Sequence, residues 1–351
     1  MAACAALLTG RYANRAGATQ PTGLTQWEIT LAEALKSSGY ATALMGKWHL
    51  GGRGWINGRT PINQGFDEWY GIPNTSNEAV WMQAPELAPT SGDSSFIWEQ
   101  VAGSAPRRVS VFDMHTRRLV DREAALRGAQ FIERNAKAGK PFFLYYPMTQ
   151  IHFPTLSHPD FRGKTGAGDI GDAMADVDFN VGIINSVMEG GVRTPCVVRW
   201  IGRIPAGQTL NGIIHEMDLF PTIVAAAGLD VVPRDRPFDS IDQRAYLQGQ
   251  RTTSARSSVL MFTGQQVRAV KWYDWKFHYA YQPEPRMTEA PLMRLFNLRS
   301  DPREETDIKD VHPWARAHFD QLLAEYEESV QRFPTVPVGA RDPFRPPASR
   351  P

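Results

Sequence analysis

Cysteine is almost missing from this chain of 351 residues; only Cys4 and Cys196 occur. Two thiols exclude a disulfide framework and a Cys-rich metal site, and they fit a reducing compartment. Charge of one sign is lacking too. The formal net charge is +1, so no general field draws nucleic acid or an anionic membrane to the chain, and any anion site must be a local cluster. No apolar run is long enough to cross a bilayer. The apolar start from Ala2 to Leu8 has no basic residues before it and is short for a signal-peptide core, so no signal peptide is read here. Internal repeats are absent, and the basic C-terminal tail has too few charges and no interleaved aromatics for nucleic-acid binding.

What remains is ordinary for a folded protein: 42% hydrophobic and 21% charged residues. The length allows one large or two medium domains. Trp27 to Lys36 has helical spacing, Gly39 supplies a stop, and Tyr40 to Met45 reads as a short buried strand. Arg117 to Lys137 reads as a long amphipathic helix, followed by an apolar strand over Pro141 to Tyr146. Helix, turn, strand and polar loop make an α/β signature. Ligands in open α/β sheets sit beyond the carboxyl ends of strands. Lys47 and His49 follow one strand in this way, and His152 follows the other. Between them, Gly52 to Arg108 is rich in Gly, Pro, Asn and Trp and reads as long loops over the sheet.

Further on, helices are expected over Asp169 to Ile184, Asp218 to Ala227 and Ala315 to Phe333, and a strand within Arg193 to Trp200. Val259 to Phe262, Val267 to Val270 and Trp275 to Tyr279 read as a small antiparallel sheet. Gly166 to Gly171 fits GxGxxG but follows a polar loop, not a strand, and so fails as a dinucleotide site. His215-Glu216 is no zinc-protease pair, because position 219 is Leu. Asp169, Asp172, Asp176 and Asp178 recur at helical spacing and read as a solvated face.

Several segments in order resemble the sulfatase family. They are Leu8-Thr9-Gly10-Arg11, Gly46-Lys47-Trp48-His49-Leu50-Gly51, Gly65-Phe66-Asp67, Phe142 to Pro154 with His152, Glu189-Gly190-Gly191-Val192-Arg193-Thr194-Pro195, Asp218-Leu219-Phe220-Pro221-Thr222, and Leu295 to Glu305. The resemblance implies an alkaline-phosphatase-like α/β fold, with a mixed central sheet flanked by helices and a small C-terminal antiparallel-sheet subdomain. It divides the chain into a sulfatase-like domain over 1–255, the subdomain over 256–333, and an extended or disordered tail over 334–351. It also implies an arylsulfatase-like sulfuric ester hydrolase whose partners are small-molecule or saccharide sulfate esters. In that family a formylglycine made from cysteine or serine attacks sulfur beside a calcium ion held by oxygen ligands. Carried over, Lys47, His49 and His152 are the catalytic residues, Lys47 and His152 also bind sulfate, and Arg11 is structural. Family members are often periplasmic, secreted or lysosomal; the chain itself names no compartment.

Two departures bear on activity. The family signature reads C-x-P-S-R-x-x-x-L-T-G-R. Aligned on Thr9-Gly10-Arg11, it sets Met1 one residue after the nucleophile and Cys4 at its arginine. Cys4 is thus out of register, and the family's paired N-terminal aspartates would precede Met1. A second loss is expected near 184–185, where Ile184-Asn185 runs on without the Asp-Asn-Gly metal segment and the second lysine. The expectation is an inactive chain that retains none of the metal ligands and holds calcium poorly. The alternatives are a non-catalytic relative that binds sulfated ligands and a phosphoester or phosphonate hydrolase of the same superfamily.

Overall fold

The computed structural model describes residues 2–18, 23–52, 58–76, 95–153, 155–184, 198–230, 232–233, 235–263, 266–280, 293–301, 304 and 306–337. Two compact units emerge, one spanning Gln20–Arg199 and the other joining Ala2–Thr19 to Trp200–Pro337. The boundary read at 255/256 lies close to the start of the small sheet at Ser258, inside the second unit.

The first unit is built on a five-stranded mixed sheet in the order β4-β3-β2-β1-β5. Its strands are β1 (Ala41–Met45), β2 (Glu68–Gly71), β3 (Phe96–Val101), β4 (Arg107–Val111) and β5 (Phe142–Tyr145). β1 runs parallel to both β2 and β5, whereas β2, β3 and β4 alternate in direction. All five residues of β1 are buried, as a central strand covered on both faces requires. The reading of Gly52 to Arg108 as loops is corrected, because this segment supplies β2, β3 and the start of β4. Its strands are short and flanked by turn residues. β2 pairs with β1 and β3 across long connections, which hide it from local composition, whereas β3 and β4 form a hairpin.

The helix expected from Trp27 begins only at Leu31. Thr30 takes an extended conformation and forms a capping box with Glu33, which sets the first turn of α2 (Leu31–Lys36). α3 (Val120–Lys137) follows a 3-10 turn at Thr116–Arg118 and packs Val120, Ala124 and Phe131 against the core that includes Ala41, Ala43, Tyr70 and Ile97. α4 (Gly168–Ile184) fulfils the expected helix, but not the solvated acidic face. Asp172 and Asp176 are buried. Asp172 accepts from Gly163 N, Thr165 N and Thr165 Oγ1, and Asp176 accepts from His158 N. These carboxylates tie down the loop before the helix, where free backbone donors need acceptors. Asp169 is exposed, and the Asp178 side chain lies outside the described residues.

The second unit carries a four-stranded antiparallel sheet, β6 (Ser258–Thr263), β7 (Gln266–Trp272), β8 (Trp275–His278) and β9 (Arg294–Asn297). One face packs Val270, Phe277 and Leu295 against Ala315 and Phe319 of the last helix, Trp314–Arg332. α1 (Ala2–Thr9) belongs to this unit and contains Cys4, a free, half-buried helix residue. Arg11 is buried and its Nε donates to Pro237 O at 3.1 Å. Gly10 has φ 68°, and a Cβ there would lie 2.5 Å from the Phe238 ring. The Thr-Gly-Arg segment thus joins α1 to the loop of residues 235–243. The segments Glu189 to Pro195 and Arg193 to Val197, and the tail from 338, lie outside the described residues.

Candidate active site

Parallel pairing of β2, β1 and β5 brings three carboxyl ends to one edge. The chain leaves β1 through Gly46, whose N–H donates to Tyr70 O at 2.7 Å. Lys47 N then donates to Pro147 O (2.8 Å), Trp48 N to Ile72 O (2.9 Å) and His49 N to Pro73 O (2.7 Å). The segment after β1 is therefore stitched to the end of β2 by three bonds and to the exit of β5 by one. Glycine is needed for this close approach. Gly46 has φ 133°, and a Cβ there would lie 2.2 Å from Pro147 O. A Cβ on Gly71 would lie 1.8 Å from Gly46 O.

Trp48 anchors the segment. It is fully buried, its Nε1 donates to Arg59 O at 2.8 Å, and its ring meets Phe66 edge-on at 6.3 Å. With Trp48 in the core, Lys47 and His49 on either side stay half-buried. Gly65-Phe66-Asp67 proves to be framework. Phe66 is fully buried, and Asp67 accepts from Thr42 N (3.0 Å), Thr42 Oγ1 (3.1 Å) and Lys36 Nζ (2.7 Å).

Burial above all lowers the His49 pKa to about 4, and nearby positive charges, those of Lys47 and His152 among them, lower it further. Its Nδ1 is buried and has no hydrogen-bond partner among the described residues. A buried polar atom without a partner is uncommon and suits a site that a ligand completes. His152 is exposed. Its Nδ1 lies 2.8 Å from Phe153 O, and its Nε2 lies 3.0 Å from Thr75 Oγ1. A carbonyl only accepts, so Nδ1 carries the proton and Nε2 accepts from Thr75 in the neutral ring. Thr75 was not singled out in the sequence. It sits just past β2, a strand hidden in what reads as loops, and the parallel sheet brings it to His152.

This edge gathers an ammonium, two imidazoles and a hydroxyl. With the His152 ring protonated, its Nε2 no longer accepts from Thr75, and the ring, Lys47 and the hydroxyl can all donate to an oxyanion in a partly desolvated site. They do not suit calcium, which takes about six to eight oxygen ligands. Among the described residues no group of three His, Cys, Asp or Glu is arranged to hold a metal ion. No helix among them is long and apolar enough to cross a membrane. A separate cavity of about 200 Å³ between β2, β3 and α3 has a paired charged lining, with Arg134 at 2.5 Å from Glu68 and Arg127 at 3.4 Å from Glu99.

At neutral pH His49 is unprotonated, and it takes up a proton only as pH falls toward 4. An anion seated at Nδ1 favours the protonated ring. Binding therefore takes up a proton, and affinity is expected to rise roughly tenfold between pH 7 and pH 5. Titration of phenyl sulfate at both pH values checks this; in His49→Gln the rise should vanish.

Residues 2–182, more than half of the chain, match the sulfatase family model. The chain belongs to the sulfatase family. N-acetylgalactosamine-6-sulfatase of Sus scrofa is 30% identical over 335 residues, covering 78% of this chain and 61% of that protein. The Canis lupus familiaris enzyme of the same name is 29% identical, covering 77% of this chain and 58% of its own length. This chain thus spans about three fifths of these curated relatives. Arylsulfatase D of Homo sapiens is 25% identical over 469 positions, covering 95% of this chain and 79% of that protein. The fold superposes on the PsFucS1 sulfatase from Pseudoalteromonas sp. with TM-score 0.84 and 25% identity, covering 95% of this chain and 81% of that one. The alkaline-phosphatase-like architecture implied by the ordered motifs is therefore that of this sulfatase-family chain.

Proposed function

We propose that this sulfatase-family chain serves sulfuric ester hydrolysis on saccharide sulfates, with Lys47, His49 and His152 as its sulfate-binding group. The observation that carries the reading is the buried Nδ1 of His49, which has no hydrogen-bond partner among the described residues, within reach of the positive charges of Lys47 and His152. Within a sulfatase frame, His152 would protonate the departing ester oxygen from Nε2, after that nitrogen has itself taken up a proton, because Nδ1–H is held by Phe153 O. The saccharide class is supported by relatives named for N-acetylgalactosamine 6-sulfate. Trp69, in the Trp-rich stretch from Gly52 to Arg108, is 1% exposed and unavailable for stacking on a sugar. Trp55 and Trp81 lie outside the described residues. Phe153, beside His152, is 70% exposed and is the aromatic face we assign to the sugar.

We further infer that these 351 residues by themselves bind sulfate esters without turning them over. Cys4 cannot begin a formylglycine signature, because Leu8 stands where that reading needs arginine. The donor set beside His49 does not suit calcium. The alignment to arylsulfatase D runs over 469 positions, more than the 351 residues here, so the relative carries internal segments that this chain lacks.

Isothermal titration with phenyl sulfate tests the binding. Wild type should bind, and Lys47→Ala should weaken binding about 10- to 100-fold, the worth of one charge-assisted hydrogen bond. Equal affinities in the two proteins would remove Lys47 from the site. Calcium-dependent release of phenol would refute binding without turnover while leaving the family reading intact. Preference for phenyl phosphate would favour the phosphoester alternative.

A further inference from the structure

His152 sits on a loop held from behind by three buried groups, two of which, Arg117 and Asp121, lie outside the segments that carry the family resemblance. Arg117 is 1% exposed, Asp121 2% and Thr149 0%. The Thr149 hydroxyl accepts from Arg117 NH1 at 3.0 Å and donates to Asp121 Oδ2 at 2.9 Å. Asp121 Oδ1 accepts from Thr149 N (2.7 Å), and Oδ2 accepts from Gln150 N (2.9 Å). The other arm of Arg117 donates to the carbonyl of His152 itself, at 2.6 Å. Ser76, next to Thr75, donates to Thr149 O at 3.3 Å. One hydroxyl therefore links a buried cation, a buried carboxylate and the loops after β2 and β5.

Burying two charges gains little stability over a well-packed apolar replacement, because desolvation offsets their attraction. What such a network supplies is direction, and here four of its bonds end on the backbone between Thr149 and His152. We propose that Arg117, Thr149 and Asp121 are positioning residues for His152. They hold the His152 backbone so that Nδ1 meets Phe153 O and Nε2 faces Thr75, which fixes the tautomer and aims the ring at the anion. The inference rests on the anion-site reading of Lys47, His49 and His152 for its purpose, but the geometry can be tested without any ligand.

Long-range proton–nitrogen NMR on protein with ¹⁵N-labelled histidine reads the tautomer of each ring, with the His152 signals assigned by their loss in His152→Asn. Wild type should show His152 protonated at Nδ1. Thr149→Val keeps the shape but removes the bridging hydroxyl, and should shift His152 toward the Nε2–H form that unrestrained imidazole prefers. Thr149→Ser should restore Nδ1–H. Phenyl sulfate affinity should fall about tenfold in Thr149→Val and recover in Thr149→Ser. Arg117→Lys gives a second variant, which keeps the charge but loses the paired arms, and it should behave like Thr149→Val. A folded Thr149→Val or Arg117→Lys protein with an unchanged His152 tautomer and unchanged affinity would overturn the proposal and reduce the network to core packing. If wild type binds no phenyl sulfate while the tautomer shifts as described, the sulfate reading falls and the positioning role stands.

Discussion

Replacing Arg256 with leucine is expected to destabilise the protein by about 3–5 kcal/mol, the usual cost of stranding one partner of a buried ion pair. Asp218 is fully buried and Arg256 is 5% exposed. Arg256 Nε donates to Asp218 Oδ2 at 2.7 Å, and its NH2 donates to Oδ1, so the guanidinium and carboxylate meet side by side. The same arginine donates to Asp239 O at 2.8 Å. Asp218 also accepts from His215 N (3.0 Å) and Ile241 N (2.8 Å). Removing the cation leaves a carboxylate with no access to water and two of its hydrogen bonds broken. Urea denaturation at pH 7 gives the number from the midpoint shift at constant slope. The double variant Asp218→Leu/Arg256→Leu should recover part of the loss, because it strands no charge. A loss below about 1 kcal/mol for the single variant would mean that water reaches Asp218 and that the pair is effectively a surface one.

Trp48→Ala is the second large effect, with an expected cost of about 3–5 kcal/mol. The ring is fully buried against Phe66, and its Nε1 donates to Arg59 O. Truncation opens a cavity and orphans that carbonyl at once. The consequence for the site is distinct from the stability loss. Lys47 and His49 flank Trp48 and owe their placement to the backbone bonds from residues 46 to 49. Phenyl sulfate affinity should therefore fall in Trp48→Ala even where the protein remains folded. Trp48→Phe should retain most of the stability and most of the binding. Unchanged affinity in a folded Trp48→Ala protein would show that the glycine-rich backbone alone holds the Lys47 and His49 side chains.

The sequence by itself determined the local pieces and the family. Residues over Ala41 to Met45 and Phe142 to Tyr145 read as strands because each is a short apolar run that follows a helix and a turn. For the same reason Lys47, His49 and His152 could be placed just past strand ends. The order of the motifs pointed to the sulfatase family before any contact was known, and the family model over residues 2–182 agrees. Helix starts were less legible. Thr30 and Glu33 close a capping box that begins α2 four residues later than its apolar periodicity suggests.

Tertiary structure alone decided which of these pieces meet. The strand order β2-β1-β5 depends on pairings between residues as far apart as Ala41 and Phe142, and no local window carries that information. Hence β2 was hidden in what read as loops, and with it Thr75 as the partner of His152. Burial separated residues that look alike in sequence. Asp172 and Asp176 share a helical spacing with exposed Asp169, yet they accept backbone hydrogen bonds from a folded-back loop. Trp69 lies in a stretch that reads as loops and is core. Arg117 and Asp121 lie four positions apart at the start of a helix, like many surface ion pairs. Thr149, 28 residues beyond Asp121, turns them into the support of a histidine. Periodicity is a property of neighbours along the chain; pairing and desolvation belong to neighbours in space, and these decide which polar residues do chemistry and which hold the frame.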